Sequence, residues 1–244
     1  MPDYGQLAAE QLPHTVPIVA PAYPPPPWPL PGARLLKVTY ETEKGVALRW
    51  LPPSLGRPIP PYAHIIVGHY PESPVGPFSL AVQALGCRSR FLVRAYTLQA
   101  VTDSPTALLA LREMWGFPCL LGKVAIEEKG GDVEARVEVS GRTVCAAALR
   151  QGTPIDVEVV RFDPYLNLRL TPSIQQGQPP PHISLAQIDP HYEFRQALRG
   201  RAEVRFPQPS EGAPWHLVPS LSPVIAVWVE ADTELPFARF VMPY

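Results

Sequence analysis

Short segments in which apolar and polar residues alternate recur from Ala33 to the end of the chain. A period of two is typical of β-strands with one buried face. The pattern predicts strands at residues 35–42, 63–70, 91–98, 133–139, 142–149, 155–161, 166–170, 183–188, 200–206 and 222–229. Gly130-Gly131-Asp132 and Ser140-Gly141 separate such segments in the manner of hairpin turns. We therefore expect a mainly β, β-rich α+β fold: a large antiparallel barrel or curved double sheet with a few peripheral helices.

One strong helical pattern interrupts the strands. Asp103-Ser104-Pro105 provides a cap and a first-turn proline before an alanine- and leucine-rich segment that ends at Met114. Gly116 and Pro118 then stop the helix, so that Cys119 is expected to begin a strand. A second, short helix is predicted at residues 3–12.

Residues 13–31 are rich in proline and are expected to form an extended arm. The arm either lies across a neighbouring subunit or packs on its own domain. The predicted organisation is an N-terminal helix and proline-rich arm at residues 1–32, followed by a single β domain at residues 33–244.

Composition narrows the functional classes. The formal net charge is -1 with dispersed charges, which gives no basic footprint for nucleic acid or an anionic membrane surface. The chain shows no signal-peptide pattern and no apolar run of the roughly 20 residues that a membrane span needs, so a soluble, cytoplasmic protein is expected. The three cysteines are odd in number and widely spaced, and free thiols are expected.

The segment Arg112-Glu113-Met114-Trp115-Gly116-Phe117-Pro118-Cys119 resembles the active-site signature of the acetoacetate decarboxylase family. Weaker similarity extends to residues 35–42, 50–55 and 163–169. The resemblance implies the fold of that family and, in its enzymes, decarboxylation of a β-keto acid through a lysine Schiff base. It also implies that Cys119 occupies the position of that lysine and Leu120 the position of the second lysine.

The resemblance further implies a ligand pocket. An ungapped comparison places Ile65 and Leu80 where the family has two pocket glutamates, and Arg34 is the candidate for its pocket arginine. The predicted pocket is lined by Cys119, Leu120, Leu80, Ile65, Trp115, Phe117 and Arg34. Its apolar character predicts a small hydrophobic or carbonyl ligand. This ligand would be bound or transformed without imine chemistry, because a thiohemiacetal formed by Cys119 offers no cationic nitrogen to accept electrons. Two alternatives stay open: a non-catalytic binding or assembly protein, and a decarboxylase that uses a relocated amine such as Lys123.

Three side chains are candidates for catalysis. Cys119 is either a nucleophile, if a cation or a histidine such as His64 or His69 approaches it, or a buried thiol that packs as a small hydrophobe. Glu113 is either an acid or base or a structural partner of Arg112 or Arg94. Lys123, four residues beyond Cys119, would share its strand face if the strand were regular, but a solvated lysine is the simpler interpretation.

No cofactor is predicted. His64 and His69 have an odd separation, so alternation puts them on opposite faces of a strand, and the remaining histidines are scattered, which argues against a metal site. Phosphate-binding glycine motifs are absent from the sequence. The family resemblance implies a homo-oligomer.

Overall fold

The computed structural model describes residues 4–244 and is dominated by one sheet. The strands are β1 Trp28–Glu41, β2 Tyr62–Tyr70, β3 Phe78–Ser89, β4 Leu92–Thr102, β5 Cys119–Leu121, β6 Lys123–Lys129, β7 Asp132–Val139, β8 Arg142–Pro154, β9 Tyr165–Thr171, β10 His182–Ile188, β11 His191–Arg205, β12 Ser222–Leu235 and β13 Phe240–Pro243. The α-helices are α1 Lys44–Trp50 and α2 Pro105–Glu113. Single 3₁₀ turns occur at Ala9–Gln11, Val157–Val159 and Trp215–Leu217.

The sheet is continuous, mixed and open. Its order is β13-β10-β9-β4-β3-β2-β1-β12-β11-β8-β7-β6, with β5 attached to β4. The predicted mainly β class is confirmed, whereas the barrel alternative is wrong, since within residues 4–244 the edge strands β6 and β13 do not pair with each other. Most neighbours are antiparallel, but β5 and β9 run parallel to β4. The reason for the first exception is α2, which carries the chain from the end of β4 back to the start of β5 and so forms a crossover.

The sheet is rolled so that one face encloses the main core. On this inner face, side chains of β1 to β4 pack against those of β7, β8 and β12, for example Val38, Ile65 and Leu85 against Val137 and Trp228. The outer face of β2 to β4, β9 and β10 is covered by α2 and by the residues that follow it. A third, smaller cluster lies where residues near Val160 cover Leu35 and Val229.

The two predicted hairpin turns are present. Lys129 pairs with Asp132 and Val139 pairs with Arg142, which leaves two-residue turns at Gly130-Gly131 and Ser140-Gly141. All four turn residues have positive φ, between 51° and 86°. This is the conformation of the type I′ hairpin turn, whose twist matches that of the flanking strands.

Several predicted elements differ from the structure. The helix predicted at residues 3–12 is wrong for Tyr4–Ala8 and is reduced to the 3₁₀ turn at Ala9–Gln11; residue 3 lies outside the described part. Residues 4–11 are exposed, and a short helix without a packed face is marginal in water. The strand predicted at 155–161 is also wrong: the Asp156 side chain accepts a hydrogen bond from the Glu158 amide and starts a 3₁₀ turn instead.

The proline-rich segment packs on its own chain. The hydroxyl groups of Thr15 and Tyr23 both donate to Glu113 Oε2, at 2.8 and 2.7 Å. β1 then begins at Trp28, seven residues before the predicted start at residue 35, and includes Pro29 and Pro31 beside an irregularity in its pairing. Prolines are tolerated there because a bulge interrupts the ladder of hydrogen bonds.

Candidate functional site

The signature segment forms the junction between α2 and β5. The Ser104 hydroxyl accepts a hydrogen bond from the Ala107 amide and caps α2, and Pro105 occupies the first turn, as predicted. Gly116, at φ 69°, turns the chain after the helix, and Cys119 begins β5. Trp115 is buried in this turn: its ring contacts Trp28 edge-to-face at 5.0 Å, and its indole N–H donates to the Pro236 carbonyl at 2.7 Å.

Cys119 and Leu120 point to opposite faces of the sheet. Cys119 is paired with Ala100 and packs in the outer cluster, whereas Leu120 is paired with Val101 and packs against the inner core. This follows from the period of two along a strand. The residues predicted to line one pocket are therefore divided between two surfaces.

The outer cluster collects Leu80, Trp115, Phe117 and Cys119. Ile65 is not among them: it faces the inner core, and its neighbour Ile66 is the β2 residue that packs in the outer cluster. Arg34 is also on the inner face, where it forms an ion pair with Glu128 at 3.6 Å. The assignment of Ile65 and Arg34 to a common pocket with Cys119 is wrong, because a shift of one residue moves a side chain to the other face.

A large cavity of about 800 Å³ opens on the Leu120 side of the junction. Its apolar floor includes Leu98, Leu120 and Leu168, and its polar side chains include Arg112, Glu113, Arg169 and His182. The remaining lining comes from Trp50, Gln99, Gly116, Phe117, Pro118, Leu170, Thr171, Pro172, Gly212, Pro214, Leu217 and Val218. A volume of this size accommodates a drug-sized molecule.

A small cavity of about 20 Å³ lies within the outer cluster. Leu80 and Phe117 line it together with the buried Tyr165 and the partly buried Tyr70 and Tyr192. Burial raises the pKa of all three phenols. Because Phe117 lines both cavities, it lies between the large, open cavity and the small one. The space around Leu80 and Phe117 is thus almost filled, and the open space lies on the other side of Phe117.

A third cavity, of about 430 Å³, is a groove on β6, β7, β8 and β11. Its walls carry charged side chains, and Arg150 forms ion pairs there with Glu134 and Glu203. Within residues 4–244, none of the four lysines lines any of these three cavities.

Cys119 is a buried thiol in an apolar environment. Burial raises the pKa of its Sγ to about 12, although the Arg112 guanidinium opposes this shift. Arg112 itself donates to the Cys119 carbonyl oxygen at 2.9 Å. His64 Nδ1 contacts the Thr39 hydroxyl and His69 Nδ1 contacts the Ser79 hydroxyl. The surroundings favour the packing role over a nucleophile, which requires a thiolate.

This environment predicts that the native protein resists alkylation. Cys87, Cys119 and Cys145 are free, and all are buried. With iodoacetamide at a pH of about 8 for about an hour, we expect no added mass on native protein and three adducts after unfolding. Rapid modification of Cys119 in the folded protein, located by peptide mapping, would show that its thiol is accessible and reactive.

The other two catalytic candidates are Glu113 and Lys123, and the contacts of each favour a non-catalytic role. The Glu113 carboxylate accepts hydrogen bonds from Thr15 and Tyr23, which favours its structural role, although the residue also lines the large cavity. The predicted partner Arg94 donates to Gln187 instead. Lys123 is exposed and belongs to β6, because Gly122 interrupts the strand after Leu121. The expectation that Lys123 shares a regular strand with Cys119 is therefore wrong.

A cluster that the sequence did not reveal lies on the outer face at β1 and β2. Asp163 Oδ2 is 3.6 Å from Lys37 Nζ and 3.4 Å from His64 Nε2, and His64 Nδ1 is 3.0 Å from Thr39 Oγ1. Burial and the Lys37 charge lower the pKa of His64 to about 4. Burial also lowers the pKa of Lys37, and the negative charge of Asp163 opposes this shift. Burial favours the neutral form of Asp163, but His64 and Lys37 together keep its pKa below the usual range.

This cluster predicts a loss of stability in mild acid. His64 is neutral in the folded state but takes up a proton below pH 6.5 when the chain unfolds, so its contribution is complete above pH 6.5 and is lost as the pH falls towards 4. When the pH falls from about 6.5 to about 5, the free energy of unfolding measured with urea should fall by about 1.5 kcal/mol, and this fall should disappear in His64→Gln. Substitution of the exposed His191 by Gln should leave the pH dependence of the unfolding free energy as in the wild type. The same pH dependence in His64→Gln would contradict the assignment to His64.

The fold and the junction together define a member of the acetoacetate decarboxylase (ADC) family, since the family model matches residues 14–244. Decarboxylase DEC1 of Cochliobolus heterostrophus is 25% identical over 248 residues, which cover 93% of this chain and 95% of the relative. A crystal structure of acetoacetate decarboxylase from Legionella pneumophila superposes with a TM-score of 0.85 at 19% identity, over 100% of this chain and 99% of the other. A structure from work on acetoacetate decarboxylase gives a TM-score of 0.87 at 17% identity, over 98% and 99%. These two structural matches show the common fold.

No helix among the described residues is long and apolar enough to span a membrane.

Proposed function

We propose that the large cavity binds a small hydrophobic carbonyl compound. If the protein also transforms this compound, the reaction proceeds without imine chemistry. The observation that carries this proposal is an open cavity of about 800 Å³ with a leucine floor and no lysine among the described residues that line it. Apolar walls with a few polar groups are typical of small-molecule sites.

The surroundings of the lysines support the same proposal. An imine mechanism requires a neutral amine beside the substrate. Lys44, Lys123 and Lys129 are exposed, and Lys37 is paired with Asp163. Cys119, at the position that the family resemblance assigns to the Schiff-base lysine, has a buried thiol with a raised pKa. A thiol adduct of a ketone has no cationic nitrogen to accept the electrons of the departing carboxylate.

A decarboxylase with a relocated amine is the second candidate. The name of the relative DEC1, which aligns with 93% of this chain, favours it. For Lys123 to serve as the amine, the substrate would have to bind at the exposed start of β6, outside the three cavities. Release of carbon dioxide from β-keto acids, lost in Lys123→Ala, would support this candidate. A binding or assembly protein without turnover would bind the same ligands and release none.

The binding proposal is tested with a homologous series of 2-ketones, from 2-pentanone to 2-decanone, titrated by calorimetry. Because each added methylene is buried on the leucine floor, affinity should rise by up to about fourfold per methylene, which corresponds to about 0.8 kcal/mol. Leu217→Trp at the rim should weaken binding, whereas Leu221→Trp, at an exposed position outside the cavity, should not. The proposal would be overturned if affinity did not change with chain length and was not weakened in Leu217→Trp.

A further inference from the structure

Two arginine side chains line the large cavity and are held in place by backbone carbonyls. Arg112, in the last turn of α2, donates from Nη1 to the Cys119 oxygen at 2.9 Å. Arg169, on β9, donates from Nη2 to the Glu113 oxygen at 3.0 Å. Each guanidinium has five N–H donors, so these bonds orient the group and leave most of its donors for other partners.

Among the described residues, neither arginine is paired with an acidic side chain. Of the ion pairs within residues 4–244, none includes Arg112 or Arg169. Glu113 is the one carboxylate among the described residues that line the cavity, and its Oε2 already accepts hydrogen bonds from Thr15 and Tyr23. The cavity therefore combines two positive charges with one engaged negative charge.

The chain makes room for one of these arginines at Gly116. A Cβ at this position would lie 2.4 Å from Arg169 Cγ and 3.4 Å from its Cα. Gly116 also has φ 69°, a conformation that residues with a side chain rarely adopt. The glycine of the signature thus permits both the turn after α2 and the close passage of Arg169 along it.

The apolar floor lies in the same cavity as the two guanidinium groups. Leu98, Leu120 and Leu168 are inner-face residues that pack against the main core, so they present a fixed hydrocarbon surface. A ligand that fits both parts has an anionic head and an apolar tail. Arginine matches a carboxylate in particular, because its planar fork donates two parallel hydrogen bonds.

We propose that Arg112 and Arg169 form a carboxylate subsite, and that the preferred ligand of the cavity is an apolar carboxylic acid of medium chain length, with its tail on the leucine floor. This inference rests on the proposed function and restricts its ligand class from carbonyl compounds in general to anionic ones. Because Arg112 is exposed and Arg169 half-buried, the attraction is expected to weaken with salt.

The test compares octanoate with octanamide, which has the same shape and no charge. Calorimetry on the full chain should show octanoate binding about tenfold more tightly, which corresponds to about 1.4 kcal/mol, because hydrogen bonds between charged groups are stronger than those to a neutral amide. The double variant Arg112→Gln/Arg169→Gln should reduce this preference to less than about twofold and leave octanamide binding unchanged. Arg199→Gln, which removes an exposed arginine from β11, is the matched control and should keep the wild-type preference.

The outcomes separate the two proposals. Equal binding of octanoate and octanamide, both weakened by Leu217→Trp, would overturn the carboxylate subsite and leave the cavity proposal intact. Absence of binding by either compound and by the ketone series would overturn the cavity proposal. An octanoate preference that persists in the double variant would overturn the assignment to these arginines.

A measurement on the wild-type protein covers the case in which the double variant does not fold. Raising sodium chloride from about 50 mM to about 500 mM should weaken octanoate binding and leave octanamide binding nearly constant. A salt-independent octanoate affinity would overturn the subsite without any variant.

Discussion

Trp115→Ala is expected to lower the free energy of unfolding by about 3–5 kcal/mol, the range typical of large aromatic truncations in a core. Trp115 is only 1% exposed, and it joins three parts of the chain: the α2 to β5 junction, Trp28 at the start of β1, and the Pro236 carbonyl. Its removal leaves a cavity and an unpaired carbonyl. Since domains of this kind are stable by only about 5–15 kcal/mol, the variant should be severely destabilised in urea titrations followed by circular dichroism.

Two further variants divide this loss into its causes. Trp115→Phe retains an aromatic ring but removes the N–H donor, so it should cost about 1–3 kcal/mol, the penalty for a buried acceptor without its partner. Trp50→Ala, at a residue that is 40% exposed on α1, should cost clearly less than Trp115→Ala. Equal losses for Trp50→Ala and Trp115→Ala would contradict the central packing role of the junction.

Gly116→Ala is expected to reduce both stability and ligand affinity. The positive φ of Gly116 should cost an alanine about 1–2 kcal/mol of stability. In addition, the new methyl group would meet Arg169 Cγ at 2.4 Å and displace that side chain. Because Arg169 belongs to the proposed subsite, octanoate affinity should fall by about fivefold to tenfold, while octanamide affinity stays the same.

Gly141→Ala is the matched control for the backbone effect. Gly141 has φ 75° in the β7–β8 turn, and a Cβ there would have nothing within 4 Å. This variant should lose stability through its backbone alone and bind octanoate as the wild type does. If Gly116→Ala and Gly141→Ala lost the same stability and bound octanoate equally, the close passage of Arg169 would have no functional consequence.

The features that could be predicted from the sequence are local ones. The Ser104 cap with Pro105, the stop at Gly116 and the two-residue turns at Gly130-Gly131 and Ser140-Gly141 each depend on a few neighbouring residues. Such signals carry their own stereochemical cause, so they keep their meaning in the folded chain.

Other features depend on burial and register, which a sequence does not state. The sequence pattern does not predict β3, because Phe78–Ser89 is buried on both faces along most of its length and shows no alternation. The pattern does not predict α1, at Lys44–Trp50, because this helix is short. The face of Ile65 is predicted wrongly, because an ungapped comparison leaves the register uncertain by one residue and in a strand one residue reverses the face.

Long-range charge clusters are hidden for the same reason. Lys37, His64 and Asp163 come from three distant segments, and nothing in their spacing indicates that they meet. Arg112 was recognised only as part of the signature, and Arg169 only as part of a weaker similarity. Their common position at the large cavity follows from the parallel pairing of β5 and β9 with β4.

The most direct test of the central claim is borohydride trapping. Purified protein is incubated with a β-keto acid of medium chain length and sodium borohydride, and its intact mass is measured after denaturation, beside an acetoacetate decarboxylase that carries the Schiff-base lysine. The proposed function predicts a reduced adduct on that enzyme and no mass increase on this protein. A stable, substrate-dependent adduct that peptide mapping locates on Lys37, Lys123 or another lysine would contradict it and restore imine chemistry to this chain.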